Sequence, residues 1–118
     1  MEDYQIYIHL LRSSIINSEE TTWLVREGYC GAYDPAYLSK KAEVFIAEFE
    51  SKRIEKVIGY LKLNGSITIE KFKDLVQTSE DAFVVFVERL VKHHKLIKKK
   101  PGNIYVLRDK WFSATGSY

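Results

Sequence analysis

The sequence contains one cysteine, two prolines and one methionine in 118 residues. A lone Cys30 cannot close an internal disulfide and has no second thiol with which to build a metal site. It is therefore expected as a small hydrophobe or a bystander, not a redox centre. Long apolar runs are also missing. The longest, residues 82–87, falls far short of the roughly 18–20 residues that cross a bilayer, and the acidic opening Met1-Glu2-Asp3 is unlike the basic start of a signal peptide. A cytoplasmic chain with no membrane partner is the expectation. No glycine loop suited to cradling phosphate, no nucleophile elbow and no paired-carboxylate motif occurs. His9 has no Ser, Cys or carboxylate at catalytic spacing. His93 and His94 are adjacent, so on a helix they point about 100° apart and cannot chelate as an i, i+4 pair would. Neither enzymatic activity nor a metal or cofactor is expected.

What is present describes an ordinary globular chain with one core: 46% hydrophobic, 14% aromatic and 29% charged residues. The net charge of +2 hides an imbalance. Residues 1–50 hold four Lys and Arg against nine carboxylates, a net −5, whereas residues 51–118 hold fourteen against seven, a net +7. A basic C-terminal half points to an anionic partner there.

Apolar spacing predicts mainly helix. Tyr4, Ile8, Leu11 and Ile15 recur at intervals of three and four, predicting an amphipathic helix over residues 2–16. Asn17 and Ser18 supply an N-cap for a second helix through Trp23, Leu24 and Val25 that stops at Gly28. After a loop, Asp34-Pro35 offers a capping carboxylate before a proline suited to a first helical turn. Helix is then expected to residue 63, stopping at Asn64-Gly65. Within it the apolar stripe of Leu38, Ala42, Phe45 and Phe49 gives way to Ile54, Val57, Ile58 and Leu61, displaced by about 140° at ~100° per residue. That change of face, near Ser51-Lys52-Arg53, favours two helices or a kink over the alternative of one long helix whose first half packs on the N-terminal helices and whose second half packs on something downstream.

Downstream, Ser66-Ile67-Thr68 is β-prone, and Thr68 can cap a helix burying Ile69, Phe72, Leu75 and Val76. A turn at Gln77-Thr78-Ser79 leads to a further helix from Glu80 to about His94, with Thr78 and Asp81 at capping-box spacing. "LIKK", Lys100-Pro101-Gly102-Asn103 and "IYVL" then predict a hairpin closed by a Pro-Gly turn. This order, carried by "RIEKVIGYLKLNGSITIEKFKDLVQTSEDAFVVFVERLVKHHKLIKKKPGNIYVL", resembles the winged helix-turn-helix superfamily over residues 53–107, of the kind found in small archaeal, viral or plasmid-type regulators. The resemblance implies a mainly α fold with a small β-hairpin wing: an N-terminal helical extension over 1–50, the winged unit over 51–110 and a C-terminal tail over 111–118.

It further implies a DNA-binding protein, a transcriptional regulator whose third helix enters the major groove while the wing meets phosphates. Double-stranded DNA is the expected partner, and Lys95, Lys98, Lys99 and Lys100, with Arg89 and Lys92 on the third helix, are the expected contacts. The third helix suits the task less well. With Phe83, Phe86, Val87, Leu90 and Val91 inward, its outward face holds Asp81, Ala82, Val85, Glu88, Arg89 and Lys92, of which only two are cationic. Outward Ala82 and Val85 fit an alternative, a winged-helix module that binds protein in a larger assembly. The N-terminal aromatics, Tyr4, Tyr7, Trp23, Tyr29, Tyr33, Tyr37, Phe45 and Phe49, either close the helices over the winged unit as one monomeric core or carry a homodimer contact.

Overall fold

The computed structural model describes residues 2–12, 19–31 and 37–108. They are mainly helical, with a small three-stranded antiparallel sheet. The helices are α1 (Asp3–Leu11), α2 (Glu19–Arg26), α3 (Lys40–Asn64), α4 (Ile69–Val76) and α5 (Glu80–Glu88), and the strands are β1 (Ile67–Thr68), β2 (Ile97–Lys100) and β3 (Ile104–Leu107). No helix among the described residues is long and apolar enough to cross a membrane. The chain divides into two units, Met1–Ser51 and Lys52–Tyr118. The expected caps at Asn17, Ser18 and Asp34-Pro35, and the tail 111–118, lie outside the described residues.

The first unit is organised by aromatic rings. Trp23 stacks on Tyr29 at 6.0 Å, Tyr29 meets Phe45 edge-on at 5.8 Å, Phe45 lies 6.4 Å from Phe49, and Phe49 stacks on Tyr7 at 4.1 Å. Five of the aromatics open to a dimer role are thus used within the unit. The Tyr7 hydroxyl donates to Glu50 Oε2 at 2.5 Å, and Glu50 is only 3% exposed. A buried carboxyl is tolerable where such donors reach it. Cys30 is half-buried, and that burial pushes its thiol above the ordinary range, so it is a weak nucleophile at neutral pH.

Helix α3 departs from the expected start and from the expected break. It begins at Lys40 because Tyr37 to Ser39 are held extended: the Gly31 N–H donates to the Tyr37 carbonyl and the Ser39 N–H to the Tyr29 carbonyl. Ser39 then acts as the cap, its hydroxyl accepting from the Ala42 N–H at 3.3 Å. From there the helix runs unbroken for 25 residues, about 38 Å. Ala42, Ile46 and Phe49 are buried in its first half and Val57, Ile58 and Leu61 in its second. The change of face falls where the chain passes from one unit to the next, within one helix and not between two. Backbone hydrogen bonding does not depend on which face is buried, and no proline interrupts it. Asn64 ends the helix as expected, with Gly65 at φ +81°.

In the second unit local sequence rules hold well. Thr68 caps α4, its side chain accepting from the Lys71 N–H, and Gln77 at φ +49° ends it. Ser79, one residue beyond the expected Thr78, caps α5 by accepting from the Ala82 N–H at 3.2 Å. Phe72 is fully buried and takes three rings edge-on: Phe83 at 5.3 Å, Phe86 at 6.5 Å and Tyr105 at 5.4 Å. One side chain of α4 therefore joins α5 to β3. The strand order is β1-β3-β2, with Ile67 opposite Tyr105 and Thr68 opposite Ile104.

Phe72→Ala is expected to cost about 3–5 kcal/mol, a large share of the roughly 5–15 kcal/mol that holds a small domain. Chemical denaturation measures this, and a loss below about 1 kcal/mol would contradict the position given to Phe72.

Candidate functional site

The cationic segment starts where α5 ends. A π-helical turn, Arg89–His93, follows the helix, closed by the His94 N–H on the Arg89 carbonyl at 2.8 Å. Such turns admit one extra residue and are uncommon. The Leu96 N–H then returns to the Leu90 carbonyl at 2.9 Å. Between them Lys95 takes a left-handed conformation, φ +55°, and turns the chain into β2. Leu90 and Ile97, both fully buried, hold the two ends of this connection. His93 and His94 meet edge-on at 4.9 Å.

Strand pairing decides how the lysines are presented. Ile97, Lys98, Lys99 and Lys100 lie opposite Leu107, Val106, Tyr105 and Ile104 in turn. Directly paired residues share a face of the sheet, and faces alternate along a strand. Ile97 and Lys99 are thus on the face of buried Leu107 and Tyr105, whereas Lys98 and Lys100 share the outer face with half-buried Val106 and Ile104. Lys95, Lys99 and Lys100 are exposed and Lys98 is half-buried. Among the described residues no carboxylate lies within ion-pair distance of these four lysines. Among the described residues β2 is an outer strand with an unpaired edge, where lysine discourages strand addition.

The other two candidate contacts are placed differently. Lys92 reaches Glu88 at 3.7 Å, a pair mostly exposed on both sides and hence weak. Arg89 is half-buried at the start of the π-helical turn and is engaged within the fold. The structure therefore groups Lys95, Lys98, Lys99 and Lys100 around the hairpin and leaves Arg89 and Lys92 on the helical side.

The face of α5 requires a correction. Ala82 and Val85, expected outward, are buried at 0% and 5% exposure, and Val84 is 46% exposed. The helix is buried around more than half its circumference, which a projection that assigns it one core face does not anticipate. What remains exposed is Glu80, Asp81, Val84 and Glu88, a stripe about 100° wide at ~100° per residue. A protein-docking face centred on Val85 is accordingly absent. The stripe carries three carboxylates and no cation; Glu80 pairs with Lys73 at 2.8 Å.

The chain matches no protein-family model, no curated protein and no solved structure.

The turn that carries the lysines to the end of the hairpin is Pro101-Gly102-Asn103, with Gly102 at φ +90° and Asn103 at φ +56°. A Cβ on Gly102 would meet only Ile104 Cδ1 at 3.9 Å, so the obstacle to substitution is the backbone conformation and not space. Gly102→Ala is expected to destabilise the hairpin by about 1–2 kcal/mol. Hydrogen exchange of the β2 and β3 amides reports it; unchanged protection would show that the turn adopts another conformation.

Proposed function

We propose that residues 53–107 form a winged helix-turn-helix unit with the β2–β3 hairpin as its wing, and that the protein binds double-stranded DNA as a regulator of transcription. The element order supports the fold: the second half of α3, then β1, α4, α5 and the hairpin, with β1 added antiparallel to β3. The observation that carries the function is the set of Lys95, Lys98, Lys99 and Lys100, solvent-accessible and without carboxylate partners among the described residues. Lysines neutralised within the protein would offer little to a polyanion. Lysines left unpaired at the end of a hairpin can each displace a counterion from a phosphate, and every such contact steepens the dependence of log affinity on log salt by about 0.9. The +7 charge of residues 51–118 favours encounter with the same partner.

Binding of the whole chain to random-sequence duplex, followed by fluorescence anisotropy over a range of salt, tests this. Replacing Lys98, Lys99 and Lys100 together by Ala is expected to weaken binding at least about tenfold and to flatten the salt slope by about 2–3. Equal affinity and equal slope would remove the hairpin from the function, and no binding by the unaltered protein at low salt would remove DNA.

A further inference from the structure

Granting that reading, the question is which surface meets the duplex, and the two surfaces on offer have opposite sign. The exposed stripe of α5 presents Glu80, Asp81, Val84 and Glu88. Lys73 and Lys92 offset two of those carboxylates, while Asp81 has no cation within ion-pair distance among the described residues. Placing this helix in a major groove would set three carboxylates between two rows of phosphates. A carboxylate at a base edge finds a donor only on cytosine among the direct readout pairings, and Arg, Lys, Asn and Gln, which read guanine and adenine, are missing from the stripe.

The hairpin has the complementary chemistry. Lys98 and Lys100 stand on its outer face two residues apart, about 7 Å along the strand, a separation similar to that of successive phosphates on one nucleic-acid strand. Lys99 is on the opposite face beside Tyr105, and Lys95 stands at the base of the hairpin. The other paired positions on the outer face are Ile104 and Val106. Neither side chain can hydrogen-bond a base edge, so apart from the two lysines, whose charge suits the backbone, this face holds no group with which to distinguish a sequence.

We propose that the outer face of the hairpin, through Lys98 and Lys100, makes the principal contact with the DNA backbone, that the exposed face of α5 stays out of the groove, and that the partner is duplex DNA of any sequence. Neither of these two surfaces then reads an operator.

The test uses the full chain, a panel of unrelated duplexes and two double variants, each checked for an unchanged unfolding curve. Affinities across the panel should agree within about threefold at one salt concentration. Lys98→Ala with Lys100→Ala should lower the salt slope by about 2. Asp81→Ala with Glu88→Ala should change affinity less than about twofold, since charges more than about 8 Å from phosphate are largely screened at physiological salt. A sequence preference above tenfold, an unaltered slope in the lysine variant, or a rise above fivefold in the α5 variant would each overturn the hairpin-led contact while leaving DNA binding in place. Failure of the unaltered chain to bind any duplex would overturn the underlying function as well.

Discussion

The ring of Phe72, buried and met edge-on by Tyr105 at 90° and 5.4 Å, fixes the hairpin to the helices. A two-stranded hairpin alone is at best marginally stable in water, and β1 adds only two residues of pairing to β3. Apolar contact must therefore supply what backbone hydrogen bonds cannot. Tyr105 does so from β3, with Ile97 and Leu107 buried on the same face of the sheet. Edge-to-face pairs add about 0.5–1.5 kcal/mol each beyond the area they bury, and Phe72 makes three. The lysines have a defined position because one face of their hairpin is anchored in this way.

The same alternation that buries Ile97 turns Lys98 outward, so packing and charge presentation are two consequences of one register. A slip by one residue would exchange the faces and bury lysine. The opposite sign of the exposed α5 stripe follows from different local demands. Glu80 and Asp81 stand in the first turn of α5, where carboxylates favour the positive end of the helix. Helix stability at that end and attraction for phosphate are in conflict, and the proposed division of labour between hairpin and helix is one way in which both can hold.

Elements governed by neighbours in sequence were legible before any coordinates. The Thr68 cap, the Asn64-Gly65 stop and the strands on either side of Pro101-Gly102 depend on short spacings and on residue types with strong backbone preferences. Features decided by distant residues were not. Helix α3 starts at Lys40, capped by Ser39, because the chain at 37–39 pairs with 29–31, and nothing within residues 34–40 announces that pairing. Its continuity is not decided by the apolar stripe, which fits two helices as well as one long helix whose halves are buried in successive units. The burial of Ala82 and Val85 depends on tertiary packing around α5, and the π-helical turn at Arg89–His93 has no sequence signature known to us. Of the six candidate contacts, four follow from the local turn chemistry of the hairpin, whereas Arg89 and Lys92 follow from a helical projection that the structure revises at Ala82 and Val85 and leaves standing at exposed Lys92.

Backbone amide mapping by NMR during titration of the whole protein with a short duplex tests the central claim most directly. The account predicts that the largest shifts fall on residues 95–104, while those of Glu80–Glu88 stay small. Shifts centred on Glu80–Glu88, or none anywhere as duplex is added, would contradict it.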